Sequence, residues 1–220
     1  MGKIKEGISQ FGFRYLIRVI SWQFSERIFR YEDAYLLAAD TIESKVVPPS
    51  GITFRLANSD DAESFAPVRI SSANVRHRLQ VGDQCAIAIR DGKIIAMLWG
   101  AVGKLYLHEA GTLIDTGSNA FYRYNSFTVP EERLKGLYSQ CSQILYEYFR
   151  AHGRTRVYGA ISVFNLPSIT ASTSVGNKIV GESVLFSIFG LKILFYKHWP
   201  HPVKRLVIFT GNPKPDLRVI

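Results

Sequence analysis

A mixed α/β sheet with flanking helices, preceded by an N-terminal helical arm, is the fold class this sequence predicts. Three observations carry that expectation. From Gly51 onward, period-two and helix-period apolar patterns alternate along the chain. Before that point, residues 8–30 form one long amphipathic stretch without proline. Between the two, Val47-Pro48-Pro49-Ser50-Gly51 is a breaker cluster that divides the chain into an arm, residues 1–47, and a domain, residues 51–220. The apolar fraction of 47% is enough for a core and excludes a disordered or small disulfide-stapled chain.

In the arm, Gln10, Arg14, Arg18, Ser21 and Ser25 share a stripe at helical spacing, and the rest of that surface is largely apolar or aromatic. Residues 32–44 carry a second helical pattern. In the domain, Ile52, Phe54 and Leu56 alternate with polar neighbours as in a strand. Asn58-Ser59-Asp60-Asp61 reads as a helix start with an acidic first turn. Two apolar runs flank Asp91-Gly92, a strong short hairpin signal. Residues 120–129 are rich in strand formers. Leu137, Cys141, Ile144, Leu145, Tyr148 and Phe149 then repeat at helical spacing, ending at Ala151-His152-Gly153. A strand over 156–163, a short helix over 167–175 and two strands within 178–209 complete the order, and no repeat is visible.

The charge is unevenly spread. The chain has 27 Lys and Arg against 18 Asp and Glu, a net +9. Residues 1–30 carry +4, residues 191–220 carry +5, and the middle is neutral. Basic ends suit an anionic partner, such as acidic head groups, an acyl-carrier protein or a phosphorylated ligand, and equally suit simple solubility. No nucleic-acid-binding signature accompanies them, so nucleic acid is not expected. Cys85 and Cys141 sit in apolar patterns and read as small core residues in a reducing compartment. The start lacks a secretory apolar core, and no charge-free run reaches the roughly 18 residues of a membrane span. The expectation is a cytoplasmic protein. Its arm is too apolar to leave in water, so it packs on the domain or on a second subunit of a homodimer, with adsorption to a membrane surface as the other outcome.

The stretch with chemical content is Thr128-Val-Pro-Glu-Glu-Arg-Leu-Lys-Gly-Leu-Tyr138. A strand ends there, and a basic turn with one glycine feeds the long helix. A helix N-terminus offers unpaired N–H groups and partial positive charge, a natural seat for a phosphate. Arg133 and Lys135 add cationic donors, and Gly136 permits close backbone approach. A basic turn without a ligand is the plainer alternative. Asn165 before Leu166-Pro167 reads equally as a helix cap. His198 and His201 are rejected as a metal pair, because the flanking prolines prevent helical geometry and no third ligand is near.

Arg133-Leu134-Lys135-Gly136-Leu137-Tyr138 resembles the Gln/Arg-x-x-Gly-x-Gly/Ala motif of the GNAT-type N-acetyltransferase superfamily, with Tyr138 replacing the last small residue. Asn165, with Gly176 eleven residues on, resembles the family's second motif. The likeness covers roughly residues 51–190. It implies a mostly antiparallel sheet whose central strands splay into a cleft for acetyl-CoA or another acyl-CoA. The resemblance places pantetheine along Phe127, Thr128 and Val129, pyrophosphate on the backbone of Arg133 through Tyr138, and Asn165 beside the pantetheine arm. It implies direct attack of an amine on the thioester, the carbonyl being polarised by a backbone N–H near Val129. Where relatives often carry a tyrosine as acid, this chain has Ser172. Residues 119–129 contain no carboxylate to serve as base. Tyr122, Tyr124 and Ser126 share one strand face, and Glu109, beside His108, is the nearest carboxylate upstream. Tyr122, Glu109 and Ser172 are therefore the catalytic candidates. Two functions follow: an acyl-CoA-dependent N-acyltransferase acting on a small-molecule or protein amine, or a catalytically silent module of the same fold that binds a protein or an anionic surface.

Overall fold

The computed structural model describes residues 2–25, 28–40, 47–107, 112–197, 206–210 and 218–219. The arm does not run as one helix. Gly12, at φ 64° and ψ −148°, leaves helical space and separates α1 (Gly2–Phe11) from α2 (Phe13–Ser21). Gly7 lets the two fold together, because a Cβ there would lie 2.1 Å from the ring of Tyr15.

The helical expectation for residues 32–44 is corrected by the structure: this run contributes to strand β1 (Phe29–Asp40). Tyr31, Asp33 and Leu37 on one face and Ala34, Leu36 and Ala38 along the strand are all buried. Burial on both faces is the condition of a central strand, and it erases the period-two signal. A short apolar run of this kind satisfies a helical template equally well, so periodicity alone does not separate the two.

The remaining elements are β2 (Thr53–Leu56), a 3-10 helix (Ser59–Val68), α3 (Ser72–Gln80), β3 (Gln84–Arg90), β4 (Lys93–Ala101), β5 (Lys104–Leu107), β6 (Thr112–Asp115), β7 (Ala120–Thr128), a single 3-10 turn (Pro130–Glu132), α4 (Leu137–Ala151), β8 (Arg156–Ser162), α5 (Leu166–Ser174), β9 (Lys178–Ile188), β10 (Leu191–Lys197), β11 (Leu206–Thr210) and β12 (Arg218–Val219). The main sheet has the order β11-β10-β9-β1-β8-β7-β4-β3-β2. Every neighbouring pair is antiparallel except β7 and β8. This is the mixed, mostly antiparallel GNAT-like sheet with flanking helices and an N-terminal helical region. The hairpin β5–β6, with β12, makes a separate small sheet that the sequence pattern did not suggest.

Helix α4 covers one face of the sheet with Leu137, Cys141, Leu145 and Phe149. Phe149 stacks on Phe121 at 4.1 Å over Gly100, where a Cβ would come within 2.6 Å of the Phe149 ring. The 3-10 helix and α3 close a second cluster around Phe65, Val75 and Trp99. A third joins β5 and β6 to Ala34, Tyr122 and Tyr158. Both cysteines are buried and free, and burial pushes the Cys141 thiol up to about 12. Among the described residues, no helix is long and apolar enough to cross a membrane.

Candidate active site

Strands β7 and β8 pair in parallel over only four rungs, from Ala120 opposite Arg156 to Arg123 opposite Gly159. Beyond that rung they part. The cause lies on the other side of β7. There Met97 faces Phe127 and Trp99 faces Tyr124, so Asn125 and Ser126 together oppose Leu98. This is a bulge, with Asn125 at φ 44°, and a bulge bends and twists the strand that carries it. The result is a cleft of about 530 Å³ lined by Arg123, Tyr124, Asn125 and Ser126 from β7, by Gly159 to Ser162 from β8, and by Tyr138 and Asn165. It is also walled by Glu32 and Asp33 of β1 and by Tyr15, Arg18 and Trp22 of the arm.

The start of α4 stands beside the cleft. Gly136 is its N-cap at φ 73°, with no side-chain cap, and Leu134 is at φ 63°. The first-turn amides of the helix therefore have no partner within it. Arg133, Leu134, Lys135 and Gly136 are exposed around this point, Leu137 is buried in the core, and Tyr138 turns inward. Arg133 arches back, its Nε donating to the Thr128 carbonyl at 3.3 Å. Lys135 pairs with Glu132 at 3.1 Å, and Glu132 also pairs with Arg90.

Two observations bear on the end of β7. The Val129 N–H donates to the Ile95 carbonyl at 2.9 Å, so the sheet consumes it and it does not polarise a bound carbonyl. The β7 residues lining the cleft are Tyr124 to Ser126, upstream of Phe127, Thr128 and Val129. Phe127 and Val129 instead pack against the cluster around Trp99. The bulge, which the sequence does not announce, lies at Asn125 and Ser126, within the lining of the cleft.

Of the catalytic candidates, Tyr122 is buried and its hydroxyl accepts the Ala160 N–H at 3.0 Å, tying β7 to β8 just past their last rung. Ser172 is fully buried and accepts from Arg123 Nη2 at 2.7 Å. Glu109 and His108, like His198 and His201, lie outside the described residues. Asn165 lines the cleft and caps α5, its Oδ1 accepting from the Ser168 N–H at 3.2 Å.

The structure adds residues that sequence reasoning missed. The acidic pair Glu32-Asp33 was hidden by the helical reading of β1. Arg18 donates to Glu32 Oε2 at 2.6 Å, and its guanidinium lies 5.2 Å from the Phe164 ring and 5.3 Å from that of Trp22. Arg14 pairs with both Asp33 and Glu182. Asp33 also accepts from the Tyr31 hydroxyl at 2.9 Å, while its Oδ1 is buried without a partner. Burial pushes the Asp33 carboxyl above the usual range despite Arg14 and Tyr31, which pull it down. Burial likewise pushes the Tyr31 phenol up to about 12. Arg123, one residue from the expected Tyr122, is nine-tenths buried at the vertex of the cleft.

No protein-family model matches the chain, and no curated protein matches it in sequence. Solved structures do match in shape. A Drosophila protein superposes with a TM-score of 0.50 at 12% identity, over 76% of this chain and 55% of that one. A GNAT-family acetyltransferase from Novosphingobium aromaticivorans gives 0.48 at 18% identity, over 68% of this chain and 60% of that one. An aminoglycoside N-acetyltransferase in complex with CoA gives 0.48 at 16% identity, over 60% of this chain and 91% of that one. The chain thus spans little more than half the length of the first two. At these identities the likeness is one of fold alone.

Proposed function

We propose that this protein is an acyl-CoA-dependent N-acyltransferase that transfers an acetyl group to an amine by direct attack on the thioester. The observation that carries this reading is the parting of β7 and β8 beside the uncapped start of α4. The cleft suits an elongated thioester, and the free amides with Arg133 and Lys135 suit its pyrophosphate. CoA would supply the activated acyl carbon. Asp33, a cleft-lining carboxylate with one unpartnered oxygen, is assigned as the acceptor of the ammonium proton, a role no β7 side chain fills. Calorimetric titration of acetyl-CoA into the full-length protein tests the reading. Saturable binding supports it, and absence of binding ends it.

A second reading has its own observation. The carboxylates Glu32 and Asp33 are already engaged by Arg18 and Arg14 of the arm. A silent module that uses this surface to bind a protein or an anionic surface would keep those pairs permanently. Release of free thiol from acetyl-CoA across a panel of amines separates the two: turnover with any amine supports the enzyme, and binding without turnover supports the module.

A further inference from the structure

Arg123 stands on the last rung that β7 shares with β8, opposite Gly159. It is 5% exposed. Its Nη1 donates to the Tyr146 hydroxyl at 2.9 Å and its Nη2 to Ser172 Oγ at 2.7 Å. The guanidinium lies 5.2 Å from the centre of the Tyr138 ring. All of these partners are neutral. Among the described residues, no carboxylate forms an ion pair with Arg123.

Buried cations are ordinarily matched by an anion, because hydroxyls and rings do not replace the hydration a guanidinium loses. Arginine stays protonated, so it cannot escape by neutralising. Two hydroxyls occupy two of its five donors. The group is also open to the cleft, which Arg123 and Tyr138 both line. Across from it Gly159 has no side chain, and a Cβ there would sit 3.9 Å from Nη2. A permanent cation, aimed by fixed hydroxyls at the vertex of an open cleft, is built to receive negative charge from whatever fills that cleft.

We propose that Arg123 is the anion-holding residue of this site and takes the negative charge that a thioester donor presents at the vertex. This rests on the acyl-CoA reading above. When the amine nitrogen attacks the thioester carbon, the C–S bond breaks and its electron pair leaves on sulfur as a thiolate. The ammonium proton goes to Asp33 and then to solvent. Arg123 pairs with the thiolate, so no proton donor is needed at position 172, and Ser172 acts by aiming the guanidinium. The same cation would hold a carboxylate at the end of a dicarboxylic acyl chain. These two sources of one charge behave differently with pH: a thiol ionises above neutrality, at about 8.5, and a carboxylate is already ionised at about pH 6.

The experiment is calorimetric titration of CoA, acetyl-CoA and succinyl-CoA into the full-length protein from about pH 6 to about pH 9, a range that brackets thiol ionisation. An opposite charge a few ångströms away lowers a pKa by about 1–3 units, so CoA should tighten relative to acetyl-CoA by about tenfold or more as pH rises. Arg123→Met should abolish that rise while retaining acetyl-CoA binding. A preference for succinyl-CoA over acetyl-CoA at every pH, lost in Arg123→Met, supports the proposal and assigns the charge to an acyl carboxylate. Equal affinities with no pH dependence overturn the proposal and leave the acyl-CoA reading standing. Failure of all three to bind overturns both. Melting curves establish whether Arg123→Met folds. If it does not, Arg123→Lys keeps the charge and should keep the effect, and loss of the effect in a folded Arg123→Lys that still binds acetyl-CoA overturns the proposal.

Discussion

Asp33 is held in a state that most carboxylates avoid, and Gly136 in one that only glycine adopts freely. Asp33 is fully buried, and desolvation outweighs Arg14 and the Tyr31 hydroxyl, so its folded pKa is raised above the unfolded value near 3.9. A raised acid favours folding while it is protonated and loses that contribution as pH climbs through its folded pKa. An asparagine amide at this position would mimic the protonated form and leave Arg14 its partner Glu182. Asp33→Asn should therefore melt above the parent protein at neutral pH, and the difference should vanish as both are acidified below the unfolded pKa. Calorimetric scans across that window check the sign, and a variant that melts lower at neutral pH contradicts it. Gly136 has a different constraint. At φ 73° a β-branched residue is strained by about 1–3 kcal/mol, and its branches would stand beside the free amides of α4. Gly136→Val should weaken acetyl-CoA binding by about tenfold or more, since each 1.4 kcal/mol is a factor of ten. Titration calorimetry on the folded variant reads that loss, and unchanged affinity removes the phosphate seat from this loop.

At the scale of the element, the β9–β10 hairpin carries a visible conflict. Its two turn residues, Phe189 and Gly190, sit at φ 48° and 84°, the left-handed pair of a tight hairpin. Asparagine or glycine is the usual first residue, and phenylalanine at 80% exposure gains little from packing. Phe189→Asn should stabilise the protein by about 0.5–1 kcal/mol and raise Tm by about 1–4 °C for a chain of this size. A drop in Tm would mean that the aromatic ring makes a contact worth more than the strain. That hairpin was legible in the sequence because Gly190 interrupts two strand-forming runs, and the Asp91-Gly92 hairpin was legible for the same reason. Helix α4 was legible because its apolar residues recur on one face. Strand β1 was not, because burial on both faces leaves no alternation to read. Nor was the bulge at Asn125 and Ser126, since nothing in Tyr-Asn-Ser-Phe marks an extra residue. The phosphate-loop candidates could be named in advance for a local reason: turn chemistry is written in adjacent residues. The pairing of Arg18 with Glu32 and of Arg14 with Asp33 depends on where two separate elements meet, so no local pattern contained it.

For the whole molecule, the decisive fact is where β1 sits. It is hydrogen-bonded to β8 along Ala34 to Asp40 and to β9 along Phe29 to Ala38. The segment before the Pro48-Pro49 break therefore supplies a strand to the interior of the sheet, between the two elements that flank α5. It also carries Leu36 and Leu37, which are essentially inaccessible to solvent. Removing residues 1–47 would take away that core and leave β8 and β9 with facing, unpaired edges about two strand spacings, or roughly 10 Å, apart. Such edges pair with other chains when nothing covers them. The same deletion removes Arg18, Glu32 and Asp33 from the cleft wall, and with them Arg14, which pairs with Asp33, so fold and site would fail together. The expected outcome is that residues 51–220 alone are aggregation-prone and do not bind acetyl-CoA. Co-expression of residues 1–47 as a separate chain should restore a soluble complex, because the strand needs its hydrogen-bonding partners and not its peptide link to Gly51. Size-exclusion chromatography and acetyl-CoA titration on the single fragment and on the co-expressed pair give the answer. A monomeric 51–220 fragment with an unchanged melting temperature would show that β1 is dispensable and that the sheet closes without it.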